Sequence, residues 1–236
     1  MIPRQEFEKL MRSITIDPEE NDYLLFSIYC TLLQEWNQKM NLTAIVDDQG
    51  IAVKHFADSL LPLTLYDLPV NCRLIDVGTG AGFPSVPMKL IRRDIRLTLL
   101  DSLEKRLIFL RQLCSSLGVD AATVHLRAEE AGRSPDHREK YDAATSRAVA
   151  SMSALAEYCL PLVKPGGVLL ALKGSTGEEE ALSARNAIAV CGGAIEDILH
   201  YHLPGGDPRT LIVVKKVSQT PTKYPRSSAQ ISKRTL

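Results

Sequence analysis

The sequence lacks any apolar run near the roughly 18 residues that a membrane-spanning helix requires, so it offers no candidate span and no membrane partner is expected. It also lacks a C-x-x-C pair. Its five cysteines, Cys30, Cys72, Cys114, Cys159 and Cys191, are spread almost evenly, which argues against a disulfide framework or a zinc site and for buried thiols in a reducing compartment. The histidines are as scattered. His200 and His202 would share one face of a strand, but no third ligand stands nearby, so no metal is expected. The opening "MIPRQEFEKL" mixes charges too early for the apolar centre of a signal peptide, and a cytoplasmic location is the expectation. There is no internal repeat and no low-complexity tract. Net charge is zero, yet acid is missing from one region: Pro208 to Leu236 holds Arg209, Lys215, Lys216, Lys223, Arg226, Lys233 and Arg234 and not one Asp or Glu. A neutral average hides a cationic end.

What is present suits one full-sized domain with an appendage, since 236 residues lie within the roughly 250 to 300 that a single core accommodates. With 45% hydrophobic and 24% charged residues, most of the chain can bury a core. The stretch from Asp17 to Ile45 reads as helical, with Asp17 as N-cap, Pro18 at the first helical position and Glu20 as the capping-box acid. Leu24, Leu25, Ile28, Tyr29, Leu32, Leu33 and Trp36 then recur as one apolar stripe. A second helix is predicted over Ile51 to Leu65, and no strand signal precedes Arg73.

From Arg73 the pattern changes. Strands are predicted at Arg73–Val77, Arg96–Asp101, Thr123–Leu126, Ala143–Ser146, Val168–Lys173, Glu196–His202 and Leu211–Lys216. Helices are predicted at Pro84–Arg92, Lys105–Leu117, Met152–Leu162 and Glu178–Cys191. Such alternation implies right-handed crossovers and a mostly parallel α/β sheet covered on both faces. "LPGGDPR" joins the last two strands directly, as an antiparallel hairpin at one edge. The division that follows is a helical cap over 1–70, a ligand-binding domain over 71–217 and a polar, basic tail over 218–236.

The chemistry concentrates in "LIDVGTGAGFP", Leu74 to Pro84, where Gly78, Gly80 and Gly82 follow a strand that carries Asp76. In doubly wound sheets the first strand-to-helix loop floors the ligand site, and glycines let its backbone approach the ligand closely. A dinucleotide fingerprint needs G-x-G-x-x-G, but position 83 is Phe; a P-loop needs G-K-[ST], but Phe83 and Pro84 follow Gly82. The order acid-x-Gly-x-Gly-x-Gly resembles instead the first motif of S-adenosylmethionine-dependent methyltransferases. Asp101 ends the second predicted strand, where an acid accepts hydrogen bonds from ribose hydroxyls; its alternative is to cap the helix starting near Lys105.

"NLTAI", "HFADSL", "DVGTGAGFP", "LLDSLEKRLIFL", "RAEE" and "SRAVA" together resemble, in order and spacing, the bacterial small-subunit ribosomal RNA guanine-N7 methyltransferases, also called glucose-inhibited division protein B, over roughly residues 35 to 225. The resemblance implies a Rossmann-like class I S-adenosylmethionine-dependent methyltransferase fold, with a seven-stranded mostly parallel sheet under an N-terminal helical cap. It implies S-adenosyl-L-methionine as cofactor, 16S ribosomal RNA or the small ribosomal subunit as partner, and a monomer. Gly78, Gly80, Gly82, Phe83 and Asp101 are then expected at the cofactor, Ala128 and Glu129 beside its adenine, and Arg147, as the catalytic residue, at its methionine end or the entering base. Asn41, His55, Lys173, Lys223 and Arg226 are expected to contact RNA, with Asn37 and Asp58 near the mouth of the site or satisfying buried backbone groups. The end departs from the family pattern K-Y-P-R-R-x-G-x-P-x-K-x-P-L: "KYPRSSAQISKRTL" has Ala229, Ile231 and Thr235 where Gly, Pro and Pro are expected.

Other methyl acceptors leave other marks. Cytosine C5 needs a cysteine nucleophile, usually after proline, and none of these cysteines follows one. Adenine amino groups go with Asn/Asp-Pro-Pro-aromatic, and no Pro-Pro pair exists here. Two further classes stay open on sequence: a methyltransferase for a small molecule or protein, and a non-catalytic RNA-binding assembly factor that keeps a cofactor fold.

Overall fold

The computed structural model describes all 236 residues. Strands β1 (Arg73–Val77), β2 (Arg96–Asp101), β3 (Ala121–His125), β4 (Tyr141–Arg147), β5 (Val163–Lys173), β6 (Gly193–His202) and β7 (Pro208–Lys216) form one sheet in the order β3-β2-β1-β4-β5-β7-β6. The first five in that order run parallel, and β7 lies antiparallel between β5 and β6. This is the α/β architecture expected, with its edge hairpin. Successive strand residues point to opposite faces. Leu74 and Ile75, Ala143 and Ala144, Leu169 and Leu170, and Ile212 and Val213 accordingly divide between two buried clusters, one on each face.

One cluster joins the sheet to the helical cap through Phe7, Phe26, Tyr29 and Phe56, so cap and sheet share a core. The cap itself differs from expectation in three ways. An unforeseen helix, Arg4–Ser13, buries Phe7, Leu10 and Met11. The next helix starts at Asp22 and ends at Asn37, because the Asp22 carboxylate accepts the Glu19 N–H at 2.7 Å while Asp17 turns to Arg12. Its buried face is Phe26, Tyr29, Cys30 and Leu33, rotated from the predicted stripe, and Leu24 is exposed. The expected second helix then begins at Asp48, capped by Asp47, and passes through a π-helical stretch, Ile51–Ala57, before Asp58–Leu60 and Pro62–Leu65. π-Segments are rare and concentrate at functional sites. This one carries Lys54 and His55.

The basic end is a correction, for it is docked rather than loose. Arg138 donates to the carbonyls of Tyr224 (2.9 Å) and Thr220 (2.6 Å), and Arg133 donates to that of Pro225 at 2.7 Å. Lys216 is wholly buried, donating to Leu160 O and Thr220 Oγ1, and burial pushes its ammonium down to about 8. A last helix, Ser228–Lys233, opens with a capping box of Ser227 and Gln230 and buries Ile231. Glycine and proline disfavour a helix by about 1 and 3 kcal/mol. Ala229 and Ile231 stand where the family pattern has those residues, which permits this helix.

No helix is long and apolar enough to cross a membrane. Strand order reverses at β1 and β4, and a crevice opens at their carboxyl ends.

Candidate functional site

A cavity of about 1090 Å³ occupies that crevice. Small-molecule clefts usually span roughly 300 to 1,000 Å³, and this one stands at the top of that range. Its floor is the glycine loop. Gly78, Gly80 and Gly82 all hold positive φ, a region that costs other residues about 1 to 2 kcal/mol. Their open sides differ. A Cβ on Gly80, which lines the cavity, would meet nothing nearer than Gly78 O at 3.9 Å. A Cβ on Gly78 would strike Val149 at 2.6 Å. Gly82, expected at the cofactor, does not line the cavity; a Cβ there would lie 2.6 Å from the Tyr29 hydroxyl, so its glycine serves packing.

Below the loop, Asp76 is buried with Thr79 and Ser85 both donating to Oδ2, at 2.8 and 2.6 Å, while Oδ1 has no partner. Burial pushes this carboxyl up to about 7. At the end of β2, Asp101 Oδ2 accepts the Gly80 N–H at 3.0 Å and Oδ1 accepts the Leu103 N–H at 2.9 Å. Asp101 thus ties the loop to the neighbouring strand. The capping alternative does not hold, because the following helix, Glu104–Leu117, has no side-chain cap. Arg106 also donates to Oδ2 at 3.4 Å, and of the about four acceptor positions of a carboxylate one then remains for a ligand.

Phe83 anchors the other side. Its ring stacks on Tyr29 (5.2 Å) and His55 (4.5 Å), and the Arg147 guanidinium lies 5.0 Å from its centroid. Arg147, at the end of β4, donates to Asp58 Oδ2 at 2.7 Å, to Lys54 O at 3.3 Å and to His55 Nδ1 at 3.3 Å. Asp58 also accepts from Arg209 of β7 at 3.2 Å, so one nearly buried carboxylate orients two guanidiniums and leaves the cluster cationic. Burial first, then Arg147, pushes the His55 imidazole down to about 4. His55 is therefore neutral at physiological pH.

Ala128 and Glu129 line the cavity from the short helix Ala128–Ala131; Glu129 is buried and no cation pairs with it. Ile231, Ser228 and Ser232 of the last helix line it too, so the docked end forms part of the wall.

The residues expected at RNA are placed unevenly. His55 lines the cavity. Lys173 does too, but its ammonium is held by Glu180 (2.7 Å) and Ala150 O (2.6 Å). Arg226 is spent on a forked pair with fully buried Glu157 at 2.8 Å, which corrects its assignment as a free RNA contact: its guanidinium offsets a buried charge. Asn41 and Lys223 are exposed and lie off the cavity. Asn37 Oδ1 accepts the N–H groups of Leu42 (2.7 Å) and Thr43 (2.9 Å), the backbone-satisfying alternative. Sequence reading missed Thr43 and Arg209, which face the same cavity. Thr43 lies within "NLTAI", but only the fold brings it to His55.

Comparison with known proteins identifies the family. The family model described as rRNA small subunit methyltransferase G, GidB, matches residues 22–209. The Ribosomal RNA small subunit methyltransferase G of Acetivibrio thermocellus is 51% identical, covering 94% of this chain and 91% of that protein. The protein of the same name from Lactobacillus johnsonii is 47% identical over 98% of each chain. Among solved structures, TrmN from Thermus thermophilus shares the fold at a TM-score of 0.51 and 18% identity, covering 70% of this chain and 53% of that one. Precorrin-6y C5,15-methyltransferase from Geobacter metallireducens does so at 0.50 and 15%, covering 67% and 86%. With a family match over most of its length and relatives near half identical, the chain belongs to the GidB family of small-subunit rRNA methyltransferases.

Proposed function

We propose that the protein transfers a methyl group from S-adenosylmethionine to N7 of a guanine in 16S ribosomal RNA, acting on that RNA or on the small subunit. The observation that carries the reading is the glycine loop's open side: at Gly80 the backbone adopts a glycine conformation and leaves a clear approach into a cavity bounded by Asp101 and Arg147. Residues of this kind fit the cofactor, with an acid for its ribose, Ala128 and Glu129 for its adenine, and the loop for its methionine part. When bound, that cofactor supplies a methyl group activated by a sulfonium.

The chain's own task is positional. Attack on a methyl carbon runs in line, and holding the reactants at near-attack distance supplies most of the acceleration. Arg147, braced by Asp58 and stacked on Phe83, fixes the wall where the base enters. Guanine N7 offers an unprotonated lone pair, so no general base is needed. The cavity suits that chemistry: its histidine is neutral and its Nδ1 lone pair is taken by Arg147, which leaves it nothing to accept a proton with.

The test is Asp101→Ala titrated with S-adenosylmethionine by calorimetry. Loss of charge-assisted hydrogen bonds, each about 1.5 to 3 kcal/mol, should weaken binding roughly 10- to 100-fold. Unchanged affinity in a folded variant removes Asp101 from the cofactor site.

For RNA, the exposed cations of the docked end, Lys223, Lys233 and Arg234, are the contacts we assign, and Arg226 is not. Each phosphate contact adds about 0.7 to 0.9 to the salt slope of binding. Neutralising the three should flatten that slope, while Arg226→Ala should lower the melting temperature by stranding Glu157. A triple variant with an unaltered slope takes this end out of the RNA interface.

A further inference from the structure

The hydrogen bonds around His55 leave one donor over. Arg147 Nη2 lies 3.3 Å from His55 Nδ1, and a guanidinium can only donate. Facing this donor, Nδ1 presents its lone pair, and the competing acceptor at the ring, the Lys54 carbonyl, already takes Arg147 Nη1 at 3.3 Å. A neutral imidazole with a bare Nδ1 carries its proton on Nε2, and Nε2 stands 2.7 Å from Thr43 Oγ1. His55 thus donates to the threonine. That same oxygen already accepts the Ile45 N–H at 3.0 Å. Both lone pairs of Oγ1 are occupied, and its proton bonds to no group of the chain. Thr43 is half-buried and lines the cavity beside Arg147 and Phe83.

A hydroxyl is ordinarily ambivalent, able to donate or accept. Here the histidine and a backbone amide remove its capacity to accept, and it becomes a donor only. Guanine and adenine both present N7 as an acceptor, but beside it guanine carries the acceptor O6 and adenine the donor N6–H₂. A donor-only group at this edge admits the first and rejects the second.

We propose that Thr43 is the base-reading residue of the site, its hydroxyl donating to O6 of the guanine whose N7 is methylated, with His55 as the positioning residue that makes the hydroxyl a donor. This rests on the guanine-N7 reading above.

The experiment uses the full-length protein and a small-subunit RNA fragment in which the mapped target guanine is kept or replaced by 2-aminopurine, which retains N7 and lacks O6. Wild-type kcat/KM should fall about 10- to 100-fold on 2-aminopurine. Thr43→Val should show the same loss on guanine and no further loss on 2-aminopurine. Thr43→Ser should restore the guanine rate, and cofactor affinity should stay within threefold throughout. A Thr43→Val loss that persists undiminished on 2-aminopurine overturns the assignment, since the residue would then only hold its loop. Nitrogen-15 NMR of the free protein is independent of folding in the variants: a neutral Nε2–H His55 at pH 7 supports the network, and an Nδ1–H or doubly protonated ring overturns it. Wild-type product methylated elsewhere than guanine N7 defeats the parent reading, whereas N7 product with full Thr43→Val activity defeats the Thr43 assignment alone.

Discussion

Replacing Arg147 with alanine is expected to cut turnover about 100- to 1000-fold at saturating RNA and cofactor, because a misplacement near 1 Å costs on the order of 10²-fold. The side chain holds three partners at once: Asp58 Oδ2, Lys54 O and His55 Nδ1. Without it Asp58 keeps only Arg209, His55 loses the donor that fixes its tautomer, and Phe83 loses the cation over its ring. Lysine should rescue little, since an ammonium cannot span the carboxylate and the imidazole as a planar fork does. Single-turnover rates at saturating RNA separate this from an affinity defect. A rate within threefold of wild type refutes a role for Arg147 at the reacting centre.

Gly80→Val should weaken S-adenosylmethionine binding more than 100-fold while the protein still folds. Two effects combine, and they can be separated. The positive φ of Gly80 strains any side chain, costing alanine about 1 to 2 kcal/mol of stability and β-branched valine more. The added side chain also occupies the ligand's volume, so affinity should fall from glycine to alanine to valine by more than the accompanying drop in melting temperature accounts for. Gly82→Ala is the control for packing: its Cβ meets the Tyr29 hydroxyl, and it should lose stability rather than affinity alone. Equal affinity for the three residues at position 80 means that the loop does not touch the cofactor.

The sheet was legible because its signals are local. Apolar runs ending at Val77, Asp101 and Lys173 fall where the strands end, and the glycines after β1 stand at the reversal of strand order. Asp101 was legible from its place at a strand end, whereas Arg147 was reached through the family resemblance; the structure puts both at carboxyl ends of strands lining the cavity. What escaped depends on partners distant in the chain. Nothing near Arg226 announces that it neutralises Glu157, and nothing near Lys216 marks it as a fully buried amine that pins Thr220. Polarity and prolines make the last residues read as a free tail, although four basic side chains, Arg133, Arg138, Lys216 and Arg226, strap them down. The helix Asp22–Asn37 shows the same limit. Its apolar residues cover more than one face, and only packing against Phe7 and Phe56 selects Phe26 over Leu24.

The most direct measurement is to incubate the protein with methyl-labelled S-adenosylmethionine and small ribosomal subunits from a strain lacking this enzyme, then map the label on the RNA by reduction and aniline cleavage. The account predicts one methyl group per subunit, on N7 of a single guanine of 16S ribosomal RNA. Label on another atom or on a ribosomal protein, or none on either the subunits or the 16S RNA extracted from them under conditions where the cofactor binds, would contradict it.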